Sequence, residues 1–457
     1  MSSPKLYNEI RRRFIAVFLI VCPLFLSGCK RPKESSGPNL VLISVDTLRA
    51  DHVSTYGYKK NTSPHIDALA GRGHVFRRAY TCMPTTLPSH LAAFTGLFPW
   101  KLGVVRNGLE VPAEAVTLAE ILQDSGYETA AFVSAVSLSR KTNINQGFAL
   151  YDEPPGLERS GRDTVAKALK WLKGHPQKPF FLFVHFFEPH TPYRPPKEMR
   201  STWNVPKGNF PPGSCFVGKI DKYTPEVIEN TIRAYDAEIA EADRAVGTLL
   251  NWLNSSPIAD STHYIFISDH GESLDELLQR YGYLFDHGEF LYHHQLHIPL
   301  VIVEAGKDLK TQDHHEPVSI MDVMPTALNL LDIEVPAGID GRSLLPLTGS
   351  TGRNTPLLAR RRSFLGNTQK LLSGEAFSLI DDQWHFISSD GTGNELYDLA
   401  EDPLEKKNLL SQQTKVAEQM REFLRQIKKG EEASKSEAPS VQDTKQLRQL
   451  RSLGYMP

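Results

Sequence analysis

The sequence predicts an α/β protein: a doubly wound, mostly parallel sheet followed by a smaller C-terminal α+β subdomain. Three observations carry that expectation. At 457 residues the chain is too long for one small core. Between residue 39 and about residue 345, apolar runs of strand length alternate with stretches of helical periodicity. Beyond that point the pattern changes to short alternating segments and a charged helix.

The N-terminus reads as targeting. Lys5 and Arg11-Arg12-Arg13 form a positive region, and residues 14–25 an apolar run too short to span a bilayer. Leu26-Ser27-Gly28-Cys29 looks like a bacterial lipobox, which makes residues 1–28 a signal peptide and Cys29 the lipidated mature N-terminus. Residues 29–38 then serve as a tether. The expected location is the bacterial cell envelope, with the protein held at the membrane by its lipid anchor. A formal net charge of −2 gives no basic footprint for nucleic acid. Of four cysteines, Cys82 and Cys215 remain in the folded part, and they could pair in an oxidising compartment.

Residues 39–46 form an apolar run ending in Asp46, as a buried parallel strand would. Ligands of open α/β sheets lie beyond the carboxyl ends of the strands, so Asp46 is expected there. Residues 63–70, 115–122 and 163–171 read as helices, and 128–134 and 180–185 as strands. Residues 204–223 read as a surface insertion and 228–253 as a long amphipathic helix. A strand over 263–268 leads into Asp269-His270-Gly271-Glu272, then a loop carrying His287, a strand over 298–303 and a helix over 319–331. In the C-terminal part, 377–387 suits a hairpin, 395–399 a short exposed strand or turn, 417–429 a helix and 430–444 a loose link. The resulting division is a catalytic domain over 39–345 and a subdomain over 346–457.

The stretch Pro84-Thr85-Thr86-Leu87-Pro88-Ser89-His90 is turn-prone and then helical from Ser89. A hydroxyl at that junction meets free backbone N–H groups and the positive end of a helix dipole. Thr86 is therefore either a nucleophile facing an anionic ester or a plain helix cap. Asp46, Asp269 and His270 stand on the same sheet edge. With the Thr86 oxygen they suit one divalent cation, Ca²⁺, Mn²⁺ or Mg²⁺, with Zn²⁺ as an alternative. Such an ion lowers the pKa of the Thr86 hydroxyl. His190 and His287 are candidates to hold ester oxygens or protonate the leaving group. His293, His294, His297, His314 and His315 are expected to face solvent.

These motifs resemble the sulfatase family of the alkaline-phosphatase-like superfamily. The carriers are Leu42-Ile43-Ser44-Val45-Asp46-Thr47, Thr86-Leu87-Pro88-Ser89-His90 followed by Thr95-Gly96, and Glu188-Pro189-His190-Thr191-Pro192-Tyr193. Ser268-Asp269-His270-Gly271 and Glu395-Leu396-Tyr397-Asp398-Leu399 add to them. The resemblance implies a sulfatase-type fold and a metal-dependent ester hydrolase. It also implies departures. Thr86 stands where that family has a Cys or Ser matured to formylglycine, and threonine does not yield the aldehyde. His90 replaces the signature Arg and is expected at the substrate. Thr47 replaces the second acid of an Asp-Asp pair, and the usual Lys near His287-Gly288-Glu289 is absent. A direct Thr nucleophile is similar to phosphodiesterases, phosphonate hydrolases and envelope phosphoglycerol or phosphoethanolamine transferases.

The expected activity is hydrolysis of a sulfate or phosphate ester on a small molecule, glycan or lipid, through a covalent intermediate on Thr86. Two alternatives stand beside it: phosphoryl-group transfer to envelope glycan or lipid, and a non-catalytic glycan-binding protein of the same fold.

Overall fold

The computed structural model describes residues 37–174, 179–207, 222–307, 309–347, 353, 355–362, 370–431 and 438–452. The signal segment, Cys29, Cys215 and most of the expected insertion at 204–223 lie outside the described residues.

Strands β1 (Asn39–Val45), β2 (His74–Phe76), β3 (Ala79–Tyr80), β4 (Glu128–Phe132), β5 (Leu150–Asp152) and β6 (Phe180–Phe186) come first. They are followed by β7 (Thr262–Ser268), β8 (His297–Ile298), β9 (Leu300–Val303), β10 (Gln312–His314) and β11 (Val318–Ser319). Eight of them form one sheet in the order β10-β2-β9-β7-β1-β6-β4-β5. It is mostly parallel, with β9 antiparallel to both β7 and β2. Strand β1 lies at its centre, parallel to β6 and β7.

The sheet is covered on both faces, which is why β1, β6 and β7 read as mostly apolar runs. Leu40, Leu42, Phe181, Phe183, Ile265 and Ile267 point into one layer, with the helix Thr86–Thr95. Val41, Ile43, Leu182, Val184, Tyr264 and Phe266 point into the other, against the 30-residue helix Pro225–Asn254. A second sheet, β12 (Leu357–Arg360), β13 (Ala376–Ile380), β14 (Trp384–Ser389) and β15 (Gly393–Asp398), is antiparallel throughout. Leu358, Phe377, Leu379, Phe386 and Leu396 from it join the same apolar layer as the Thr86–Thr95 helix.

Several expectations are corrected. The helix at the nucleophile candidate starts at Thr86, not Ser89, because Pro88 sits in its first turn, where a missing N–H costs nothing. The strand expected over 298–303 is split into β8 and β9 at Pro299, which has no N–H to give a ladder. Strand β15 is buried, not exposed: Leu396 packs into the main core and Tyr397 among Tyr283, Phe290 and Tyr292, while Glu395 receives Arg280 at 2.6 Å and Tyr292 at 2.9 Å.

Nor is the expected link at 430–444 loose where described. Ala438 N–H donates to Gly103, Glu110 N–H to Pro439 and Val441 N–H to Gly108, at 2.9–3.0 Å. Of the five histidines expected in solvent, only His315 is exposed. Ser273 lies 2.6 Å from His294, the Arg77 carbonyl 2.8 Å from His297 and His74 3.0 Å from His314, while the His293 ring packs against that of His297, centres 4.6 Å apart and planes tilted by 32°. Cys82 is buried and free, and burial pushes its thiol pKa up.

Asp243 of the long helix accepts the N–H groups of His65 and Ile66 at 2.8–3.1 Å, capping the helix Pro64–Ala70. Burial pushes its carboxyl up to about 7 despite those donors. Between the unfolded value near 4 and this one the folded state holds the extra proton, so stability falls as pH climbs through that window. Asp243→Asn keeps an acceptor and has no proton to lose. Its unfolding free energy is expected to exceed that of the parent by about 2 kcal/mol at pH 8, closing by pH 5. Urea titrations at the two pH values check this, and a gap that does not narrow on acidification refutes it.

Candidate functional site

The ends of β1, β6 and β7 are brought level by register: Val45 pairs with Phe186 and with Ser268. Asp46 and Asp269 therefore leave the sheet side by side. Both are fully buried, as is His270. One ligand atom from each lies within 4.8 Å of the others. His270 Nε2 is 3.3 Å from Asp269 Oδ2 and 3.8 Å from Asp46 Oδ1.

The turn after β1 is held in place from two sides. Thr47 has a φ of +54°, a strained value for a β-branched residue. Its N–H donates to Asp269 Oδ1 at 3.1 Å, and its carbonyl accepts from the Tyr235 hydroxyl of the long helix at 2.7 Å. His270 Nδ1 lies 2.9 Å from the Gly271 carbonyl, which makes it the N–H and leaves Nε2 as a lone-pair donor.

Both Asp46 oxygens, Asp269 Oδ2 and His270 Nε2 are buried without a hydrogen-bond partner among the described residues. Orphaned acceptors converging in this way are rare in folded proteins, and these could hold a metal ion. Burial first, then repulsion from a neighbouring carboxylate (Glu272 on Asp46, Asp46 on Asp269), raises both aspartate pKa values well above normal. Burial holds His270 neutral, the form that ligates. Two carboxylates and a neutral imidazole are a donor set that fits one divalent ion.

Thr86 is the first residue of its helix and is fully buried. Ser89, one turn on, donates from Oγ to the Asp269 carbonyl at 2.6 Å and lies 2.8 Å from Thr81 Oγ1. That bond fastens the helix start to the end of β7. His90 is not placed to touch a substrate, contrary to expectation. Its Nδ1 donates to the Thr86 carbonyl at 2.7 Å and its Nε2 accepts from Ser44 Oγ at 2.9 Å, so both nitrogens are used inside the protein. It braces the first turn of the helix.

His270, His287 and His190 form a row, with ring centres 4.3 Å and 5.0 Å apart. Glu272 Oε1 lies 3.2 Å from His287 Nδ1 and sets that ring. His190 Nδ1 donates to the Thr191 carbonyl, and its ring stacks on Phe187 at 4.4 Å. Burial lowers both pKa values well below normal, with the Arg362 charge adding to the effect.

Three residues here were missed in the sequence. His185, in the middle of an apolar strand, has Nε2 3.4 Å from Asp46 Oδ2, and its one signal is a lone polar residue in a hydrophobic run. Glu272 was quoted only as part of a motif. Arg362, after β12, forms a buried ion pair with Glu289 in the neighbourhood where the usual lysine is absent. Gly288 has a φ of +90°, and a Cβ there would lie 2.8 Å from Arg362 Nε, so the guanidinium occupies space a side chain would need.

A doubly wound sheet with acids, imidazoles and a helix-terminal hydroxyl at one edge defines a hydrolase of the sulfuric- and phosphoric-ester class. The chain belongs to the sulfatase family, whose profile matches residues 38–333. A second profile, the C-terminal region of N-sulphoglucosamine sulphohydrolase, matches residues 281–430. Among curated relatives, arylsulfatase K of Rattus norvegicus is 24% identical over 474 residues, covering 90% of this chain and 82% of the relative. The delta 4,5-hexuronate-2-O-sulfatase of Bacteroides thetaiotaomicron is 25% identical, covering 81% and 84%. Among solved structures, the phosphonate monoester hydrolase of Agrobacterium radiobacter superposes with a TM-score of 0.70 at 20% identity, covering 86% of this chain and 96% of its own. That likeness speaks for the fold alone.

Proposed function

We propose that this protein is a metal-dependent hydrolase of sulfate or phosphate esters in which Thr86 is the nucleophile. The observation that carries the reading is the set of buried, unpartnered oxygens and nitrogen of Asp46, Asp269 and His270 beside the helix that Thr86 begins. Asp46, Asp269, His270 and the Thr86 oxygen would hold the cation. When bound, the cation supplies positive charge for the ester oxygens and for the threonine alkoxide.

The chain's own residues do the rest. The Thr86 oxygen bonds to sulfur or phosphorus as the ester C–O oxygen leaves. The hydroxyl proton passes to the imidazole row and on to the leaving oxygen. With Nδ1 of His190 bonded to the Thr191 carbonyl and Nδ1 of His287 facing Glu272, each ring keeps Nε2 as the nitrogen that can take it. Water then attacks the Thr86 ester, breaking the Thr86–sulfur or Thr86–phosphorus bond and restoring the hydroxyl. Glu272 orients His287, and Arg362 adds positive potential where the anionic group sits. The proposed setting is the bacterial envelope, with Cys29 as the lipid anchor.

The test is turnover of an aryl sulfate, an aryl phosphate monoester and an aryl phosphodiester, each with chelator, Mn²⁺, Ca²⁺ or Zn²⁺. The expected result is cleavage of at least one ester, abolished by chelator and restored by a divalent ion. Equal rates with and without chelator would remove the metal from the reading. Inertness to all three esters under every condition would favour a binding protein.

A further inference from the structure

Strand β6 carries a histidine where its pattern calls for a plain aromatic ring. Phe181 and Phe183 point into the layer of the Thr86–Thr95 helix, and His185 follows them at the same spacing. Its ring centre lies 6.4 Å from that of Phe183 and 5.1 Å from that of His90 on the helix. His185 is fully buried, and neither ring nitrogen has a hydrogen-bond partner among the described residues. A phenyl ring would fill this place without burying unsatisfied polar atoms, so packing alone does not account for the imidazole.

What the imidazole reaches is Asp46. His185 Nε2 lies 3.4 Å from Asp46 Oδ2. The backbone holds the two together: Ser44 pairs with His185 in the ladder, and the Asp46 N–H donates to the Phe186 carbonyl at 2.9 Å. Burial pushes the His185 pKa down to about 3, so the ring is neutral and carries one N–H. A nitrogen lone pair facing a carboxylate oxygen would repel it, which puts that N–H on Nε2. The ring is not placed as a ligand itself. One atom each of Asp46, Asp269 and His270 lies within 4.8 Å of the others, and His185 falls outside that group.

Asp269 shows what such a donor does. Its Oδ1 accepts the N–H groups of Thr47 at 3.1 Å and of His270 at 2.9 Å, which leaves Oδ2 to face His270 Nε2 at 3.3 Å. On Asp46 the oxygen nearest the same nitrogen is Oδ1, at 3.8 Å, and Oδ2 is the one turned to His185.

Resting on the cation site of the hydrolase reading, we infer that His185 is a positioning residue: its Nε2–H holds Asp46 Oδ2 and leaves Oδ1 alone to ligate. The site then offers one oxygen from each carboxylate and one imidazole nitrogen. Such a set suits Mn²⁺ or Zn²⁺. Ca²⁺ gathers roughly six to eight oxygens and often takes both from one carboxylate. His185 thus acts on the choice of ion as well as on its affinity.

Titration calorimetry of the full chain with Mn²⁺ and with Ca²⁺ tests the inference without any turnover. The parent is expected to bind Mn²⁺ at least about ten-fold more tightly than Ca²⁺. His185→Phe is expected to weaken Mn²⁺ by about 10–100-fold. Ca²⁺ should weaken by less than about three-fold, because the released Asp46 can offer it both oxygens. His185→Gln, which brings an amide N–H near the place of Nε2, should keep Mn²⁺ affinity within about three-fold of the parent. His185→Leu is the second variant without a donor, should the phenylalanine chain not fold. Unchanged Mn²⁺ affinity in the donorless variants, losses equal for the two ions, or a glutamine variant as weak as the phenylalanine one would overturn it. A parent that binds neither ion removes the cation site and this inference together. Ion binding that follows the expected pattern in a protein inert to every aryl ester would instead sink the hydrolase reading and leave the role of His185 in place.

Discussion

Thr86→Ala is expected to lower ester turnover by at least about 10⁴-fold, the scale at which loss of a nucleophile is felt when the rest of a site is intact. Thr86→Ser, which keeps a hydroxyl at the same helix position, is expected to retain activity within about ten-fold of the parent. The contrast matters because a plain cap would behave differently. Thr85, not Thr86, is the cap residue of this helix, and its side chain makes no capping bond. Thr86→Ala therefore removes no cap residue from the helix, and melting temperatures of the two variants check that both are folded. Steady-state rates on the best aryl ester, with intact-mass detection of a sulfated or phosphorylated Thr86, make the comparison. An alanine variant with more than about a hundredth of parental activity would move the nucleophile elsewhere.

The second large effect is on stability. Asp46 has two buried oxygens without partners and a carboxyl pKa held far above normal by burial and by Glu272. Without an ion such a group destabilises the fold; with an ion it becomes a ligand. Asp46→Asn is therefore expected to stabilise the chelated protein by about 1–3 kcal/mol. The same variant should lose the stabilisation that a divalent ion confers on the parent, about 2.7 kcal/mol at a hundred times the dissociation constant. Thermal melts with chelator and with added Mn²⁺ or Ca²⁺ show both halves at once. A parent whose melt is indifferent to every divalent ion, or an Asn variant that still responds, would refute the cation site.

Asp46 and Asp269 were legible because each follows a largely apolar strand of seven residues, and parallel strands deliver their ends to one edge. Thr86 was legible through the prolines around it, although the helix absorbs Pro88 rather than waiting for it to pass. His185 was not. Only the pairing of Ser44 with His185 shows that a polar residue inside β6 arrives beside Asp46, and register is a tertiary property. Arg362 lies 73 positions beyond its partner Glu289, a separation no local pattern bridges. His90 was misassigned because sequence position says where a ring starts on a helix, not that Ser44 waits beneath it. Strand β15 looked exposed because Glu395 is charged; Arg280 and three tyrosines supply the partners that let it be buried.

The return of residues 438–441 to the strip at 103–110 has a bearing on the order of assembly. Leu109 and Leu450 are fully buried, Leu450 against Val136, so the flank near the Thr86–Thr95 helix is finished only when residues 438–450 dock. During synthesis some three hundred residues must be made between the two halves of that contact, and the carbonyls of Gly103 and Gly108 and the N–H of Glu110 wait for these partners until then. The nascent chain is thus kept from closing early, and protease resistance should appear only once residues 438–450 have been made and have docked.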